Sequence, residues 1–312
     1  MSRAIVFPGQ GSQAVGMGRE LAEAFPVARQ VFQEVDEALK QNLSQIMWDG
    51  PLEDLTLTEN AQPALMAVSL AVIRVLEAQG NWTIAEQAAY VAGHSLGEYS
   101  ALAAAGTFTL ADTARLLKIR GQAMQKAVPV GQGAMAALLG AEFEQAKEIA
   151  AEAAQGDVCE AANDNASGQV VISGSKAAID RAIAIAATKG LKRAMLLPVS
   201  APFHCSLMQP AADVMAEALA AVAMKAPVVP VIANVIAAPV QDPDEIRKLL
   251  VAQVTGTVRW RESVLAMKGL GVDTLVEAGA GKVLAGLVKR IDKEISAVSL
   301  NTPADIEAFL KA

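Results

Sequence analysis

Gly93-His94-Ser95-Leu96-Gly97 matches Gly-x-Ser-x-Gly, the turn that lifts a serine hydroxyl to the mouth of an α/β sheet, where it serves acyl chemistry. The flanks suit such a turn. An apolar Ala88–Ala92 stretch precedes it and the helix formers of Leu96–Ala105 follow, so strand, sharp turn and helix succeed one another. The two glycines permit close backbone approach, and the N-terminus of the following helix aims N–H groups at any developing oxyanion. A serine hydroxyl becomes a useful nucleophile only when a base accepts its proton, a task for which imidazole has a suitable pKa. The chain has two histidines. His94 lies inside the turn and is expected to point away from Ser95, which leaves His204, in Ser200-Ala201-Pro202-Phe203-His204, as the candidate base. A Ser-His-Asp hydrolase normally carries its histidine late in the domain, whereas a long stretch of chain follows His204 here. A Ser-His dyad, its imidazole oriented by a backbone carbonyl or an amide side chain, is the simpler arrangement.

The elements that must position these groups read as α/β. Ala4–Phe7 is a short buried strand, followed by the polar loop Pro8-Gly9-Gln10-Gly11-Ser12-Gln13 and helices to about Leu39. Asn60-Ala61-Gln62-Pro63 is expected to cap an apolar helix running to about Gln79, and Thr109 or Asp112 to start another that ends before Pro129. From Val130 the pattern changes. Gly133–Gly140, Val158–Asn163, Val170–Ser173 and Arg193–Val199 read as strands, with helices at Phe143–Ala154 and Lys176–Ala187. That βαββαβ order predicts a ferredoxin-like subdomain at 130–198, inserted in a larger α/β-hydrolase-like domain of residues 1–129 and 199–312 with a mainly parallel sheet.

Composition narrows the function classes. At 312 residues and 53% apolar side chains the chain can bury a sizeable core, and its longest apolar run, Ala64–Ile73, is too short to cross a bilayer. The N-terminal segment meets Pro8 and Gly9 too soon for a secretory signal, so a cytoplasmic location is expected. A net charge of −7 argues against general nucleic-acid binding. Cys159 and Cys205 have no metal-ligand spacing and are expected to be free thiols. No metal and no bound organic cofactor are expected.

Four motifs occurring in order resemble a known family: Phe7-Pro8-Gly9-Gln10-Gly11-Ser12-Gln13, Gly93-His94-Ser95-Leu96-Gly97-Glu98-Tyr99, Arg120-Gly121 with Met124, and the His204 segment. The chain resembles the malonyl-CoA:acyl-carrier-protein transacylases along essentially its whole length. The resemblance implies transfer of malonyl from coenzyme A to a serine, then to the phosphopantetheine thiol of acyl carrier protein, supplying fatty-acid elongation. It implies Ser95 as nucleophile, His204 as base, and the backbone N–H groups of Gln10 and Leu96 as the oxyanion hole. Arg120 would hold the malonyl carboxylate, which a planar guanidinium binds bidentately.

The backbone carbonyl of Gln253 would orient His204, although Thr257 stands where relatives usually have proline, so a less rigid backbone is expected there. Asn163 and Asn165 match a polar pair near the site in relatives, and equally suit a turn between two strands. Met124 and Phe203 either shape the acyl pocket or fill core. Lys189, Lys192 and Arg193, or Lys289 and Arg290, are candidate contacts for an acidic carrier protein. The chain starts just before its first strand and ends just after its last helix, so it is expected to stand by itself and not as a domain cut from a larger synthase, and a monomer is expected. Coenzyme A enters as part of the substrate. Two other readings stand beside transfer: a serine thioesterase or hydrolase, and a carrier-protein binding module without catalysis.

Overall fold

The computed structural model describes residues 2–191 and 193–312. Ten strands form two sheets: β1 (Arg3–Phe7), β2 (Tyr90–Gly93), β3 (Gly133–Leu139), β4 (Cys159–Ala166), β5 (Gln169–Ser175), β6 (Arg193–Leu196), β7 (Val231–Ala233), β8 (Ala238–Val240), β9 (Thr274–Ala278) and β10 (Ser296–Leu300). The larger sheet has the order β10-β9-β1-β2-β7-β8. Its neighbours are parallel except β8, which returns antiparallel on β7. The smaller sheet, β4-β5-β3-β6, is antiparallel throughout. Helices Phe143–Ala154 and Lys176–Thr188 complete its βαββαβ chain order. The fold is thus α/β with a mainly parallel sheet and a separate antiparallel one.

Parallel strands covered on both faces read as unbroken apolar runs, and Ala4-Ile5-Val6-Phe7 is fully buried. Phe7 pairs with Gly93, so the carboxyl ends of β1 and β2 lie side by side and their following loops must meet. The helix begun by the second loop, Gly97–Ala104, is buried along most of its length against the sheet.

Helix Thr58–Gly80 starts earlier than the Asn60–Pro63 cap expected from sequence: Leu57 is its N-cap and Pro63 lies inside it. Near a helix start, a proline forfeits a single backbone bond and the helix continues. At 23 residues this helix has the length and hydropathy of a membrane span, yet 83% of its apolar window is buried in the fold, as befits a core helix. The small sheet and its two helices bury their own core of Ala136, Leu138, Ile149, Val170, Ile172 and Ile179, separate from the larger cores. Strand β4 also pairs with the chain at Val258, where Asp164 N–H donates to Val258 C=O and Val258 N–H to Ala162 C=O. A bidentate contact from Arg261 to the buried Asp164 carboxylate reinforces that seam.

Candidate active site

The turn between β2 and helix Gly97–Ala104 needs both of its glycines. A Cβ on Gly93 would lie 1.9 Å from the Gly97 carbonyl, and one on Gly97 would lie 2.3 Å from the Phe7 carbonyl oxygen. Ser95, at the apex, has φ 54°, a left-handed conformation that is strained for a residue with a side chain. Asn234 holds the strained turn from below, just past the end of β7. Its Oδ1 accepts from the Ser95 N–H at 2.8 Å and its Nδ2 donates to the Gly93 carbonyl at 2.7 Å.

The Ser95 hydroxyl lies 2.7 Å from His204 Nε2. The other ring nitrogen, Nδ1, is 2.9 Å from the Gln253 carbonyl oxygen. A carbonyl can only accept, so Nδ1 carries the proton and Nε2 presents its lone pair to Ser95, the tautomer a general base requires. His204 also has a left-handed backbone, φ 58°. Burial, and then the positive charge of Arg120, push its pKa down to about 3, leaving the imidazole neutral with its Nε2 lone pair unprotonated.

Arg120, from helix Leu110–Ala127, is 1% exposed. One terminal nitrogen donates to Gln62 Oε1 at 2.7 Å, and the other to Gln253 Oε1 at 2.9 Å and to Ser95 Oγ at 3.2 Å. Its Nε–H is buried without an acceptor among the described residues. One guanidinium edge thus reaches the Ser95 hydroxyl in a cavity of about 620 Å³, lined also by Gln10, Met124, Asn163, Leu197 and Phe203.

Among the described residues, the backbone N–H groups of Gln10 and Leu96 donate no hydrogen bond, and both residues line the cavity beside Ser95. The Gln10 side chain is otherwise engaged, accepting from the Thr58 hydroxyl at 2.9 Å. His94 turns from Ser95 to Asn165, with Nε2 2.8 Å from Asn165 Oδ1, and packs near the Trp260 ring. Asn163 and Asn165 stand in β4, not in a turn, which is confined to Ser167 and Gly168. Met124 and Phe203 are buried in the cavity wall.

The looseness expected at Thr257 is offset, because its hydroxyl donates to the Ala161 carbonyl at 2.7 Å and ties this loop to β4. Burial raises both cysteine thiols to about 11, so neither is a thiolate nucleophile at neutral pH. Among the described residues no cluster of three or more His, Cys, Asp or Glu side chains could hold a metal ion. Of the candidate docking cations, Lys189 is paired with Glu152 at 2.8 Å and Arg290 donates to Gln169, while Arg193 is exposed and Lys192 lies outside the described residues.

The model of the acyl transferase domain family matches residues 4–302. The chain belongs to the acyl transferase family. This acyl transferase is 46% identical over 308 residues to the malonyl CoA-acyl carrier protein transacylase of Escherichia coli K12, covering 99% of this chain and 98% of that one. It is similar to the crystal structure of an acyl-carrier-protein-S-malonyltransferase from Bartonella henselae, with a TM-score of 0.98 and 57% identity over 100% of this chain and 99% of the other. A malonyl-transacylase in complex with a type II polyketide synthase acyl-carrier protein superposes with a TM-score of 0.96 at 43% identity, covering 100% and 99% of the two chains.

Two residues of the acyl transferase site escape a reading of its sequence. Asn234 follows the apolar run of β7, and the carboxyl end of a parallel strand is where such sheets place ligand-facing groups. Glu98, one turn past Ser95, is the one ionisable carboxylate in a largely buried helix. Burial pushes its pKa up to about 7 despite hydrogen bonds from Asn234 and Gln253.

Proposed function

We propose that this acyltransferase moves a malonyl group from malonyl-CoA to the phosphopantetheine thiol of an acyl carrier protein, in two half-reactions through a malonyl ester on Ser95. The observation that carries the reading is the placing of Ser95 Oγ between a neutral imidazole at 2.7 Å and a buried guanidinium at 3.2 Å. A nucleophile with a base on one side and a carboxylate receptor on the other suits an acyl group that ends in a carboxylate. The names of relatives at 46% and 57% identity point to the same substrate and acceptor.

In the first half-reaction Ser95 Oγ bonds to the thioester carbonyl carbon as its proton passes to His204 Nε2. The oxyanion accepts from the N–H groups of Gln10 and Leu96, and the imidazolium keeps its Nδ1–H on the Gln253 carbonyl. Collapse breaks the carbon–sulfur bond, and His204 returns the proton to the coenzyme A sulfur. The second half runs in reverse with the carrier thiol, whose proton His204 takes. A malonyl carboxylate on Arg120 offsets the positive charge that, after burial, holds His204 down to about 3, so the substrate itself raises the basicity of the base. We further read residues 130–198 as a ferredoxin-like subdomain on an α/β-hydrolase-like body formed by residues 1–129 and 199–312. The separate core of the small sheet supports that division.

Intact-protein mass spectrometry after brief mixing with malonyl-CoA tests the proposal. A malonyl adduct is expected on the parent chain and not on Ser95→Ala, and it should pass to a pantetheinylated carrier protein. Arg120→Ala should lose malonyl transfer while keeping acetyl transfer. An adduct lost to water and never to carrier would refute transfer in favour of hydrolysis, and an unchanged preference for malonyl in Arg120→Ala would remove Arg120 from substrate recognition.

A further inference from the structure

Glu98 takes no part in the reaction as written, yet it ends a chain of hydrogen bonds that leads to the guanidinium. Its Oε2 accepts from the Asn234 N–H at 3.0 Å and from Gln253 Nε2 at 2.8 Å. The same Gln253 nitrogen donates to the Ser95 carbonyl at 3.0 Å, and at the other end of the amide Gln253 Oε1 accepts from Arg120 at 2.9 Å. Glu98, Gln253 and Arg120 are each no more than 1% exposed, so water cannot stand in for a missing partner.

Ionised, as it is above about pH 7, the Glu98 carboxylate only accepts hydrogen bonds and a guanidinium only donates them, whereas a primary amide has one end of each kind. Between Glu98 and Arg120 the Gln253 amide therefore has a single orientation that satisfies both neighbours. Turned over, it would set NH₂ against the guanidinium and oxygen against the carboxylate. The second amide on Arg120, that of Gln62, meets only uncharged partners besides the guanidinium, the Thr58 hydroxyl and the Met124 sulfur. Gln62 donates to the Thr58 hydroxyl at 3.0 Å, a group that can donate or accept.

We propose that Glu98 is a positioning residue for the acyl carboxylate: by fixing the Gln253 amide, it holds the Arg120 guanidinium in the pose that receives the substrate. This inference rests on the role of Arg120 given under Proposed function. Among the described residues Glu98 has no ion pair, and a carboxylate buried in this way costs stability.

Steady-state transfer with malonyl-CoA and acetyl-CoA at pH 8, where Glu98 is ionised, tests the assignment in the parent, Glu98→Gln, Arg120→Ala and the double variant. Glu98→Gln keeps an oxygen at the Oε2 position that takes both hydrogen bonds, but it removes the charge and sets a donor where the second carboxylate oxygen stood, so the Gln253 amide is no longer held to one orientation. It should raise KM for malonyl-CoA about tenfold, the worth of one redirected hydrogen bond to a charged group, with kcat within about twofold. Acetyl transfer in the Arg120→Ala background should change less than about twofold when Glu98→Gln is added, because the receptor it positions is gone. Gln253→Met, which cuts the same link, should raise KM for malonyl-CoA by a similar factor, and an unchanged KM there would overturn the proposal even if Glu98→Gln failed to fold. Equal KM values in the parent and Glu98→Gln, or an equal loss of acetyl transfer with and without Arg120, would also overturn it. A parent chain whose Ser95 takes no malonyl group would instead overturn the functional reading and this inference with it.

Discussion

Replacing Glu98 by glutamine should stabilise the protein at neutral and alkaline pH and do little for it in acid. Burial raises the Glu98 pKa from 4.5 to about 7, so the folded chain binds a proton there that the unfolded chain has already released between those values. The stability that the protonated form contributes is present in full below 4.5 and is lost as pH rises through about 7. Each tenfold change in proton affinity is worth about 1.4 kcal/mol, so the accumulated loss in the parent is about 3 kcal/mol at pH 8. Glu98→Gln cannot ionise and escapes it. Urea unfolding of parent and variant at pH 5, 6, 7 and 8 measures the gap directly. For an m value of about 3 kcal/mol per molar, the variant midpoint should draw ahead by about 1 M between the lowest and highest pH, with m unchanged. A midpoint gap that stays constant across this range, or narrows as pH rises, would refute the reasoning. Together with a poorer KM for malonyl-CoA, the gain would mark Glu98 as a group kept for activity at a cost in stability.

Neither histidine should titrate at the ordinary imidazole value. Burial lowers the pKa of His94 below 6.5, and burial with the Arg120 charge takes His204 to about 3, so imidazole nitrogen shifts followed by NMR should show the His204 ring neutral from pH 8 to pH 5 and any His94 midpoint below 6.5; a His204 ring titrating near 6.5 would contradict the buried geometry. Asn234→Ala should strip the Ser95 N–H of its acceptor and the Gly93 carbonyl of its donor, destabilising the fold by about 1–3 kcal/mol and slowing acylation of Ser95. Unaltered unfolding and an unaltered acylation rate would show that the turn holds itself.

What the sequence discloses follows from how each feature is encoded. β1 and β2 are legible because strands buried on both faces are apolar throughout, and the elbow because only glycine fits at Gly93 and Gly97. β10 is missed: it is an edge strand whose residues Ser296, Val298 and Leu300 range from exposed to buried, with none of the continuous apolar character of its neighbours. β8 is missed as well, a three-residue return on β7 that contains Pro239. Asn234 and Glu98 share a different obstacle. Their importance comes from partners far along the chain, and a lone asparagine after a strand or a lone glutamate in a helix carries no local mark of them. The pairing of Lys189 with Glu152 is hidden for the same reason, since Lys189 follows one helix of the small sheet and Glu152 lies in the other. Thr257 shows the reverse, a departure from the expected residue whose hydroxyl restores a tie that composition alone would not suggest.

The contacts that converge on Ser95 span 109 residues to His204, 139 to Asn234 and 158 to Gln253, and Arg120 meets Gln253 across 133. Arg120 reaches Ser95 across only 25 residues, but each of these four closes a loop of more than a hundred, so none can form until segments far apart in the chain have come together. Helices and the small antiparallel sheet, held by nearer neighbours, can assemble earlier. During refolding, recovery of Ser95 acylation should therefore trail the far-ultraviolet circular dichroism signal and report the moment at which the last long-range pairings close.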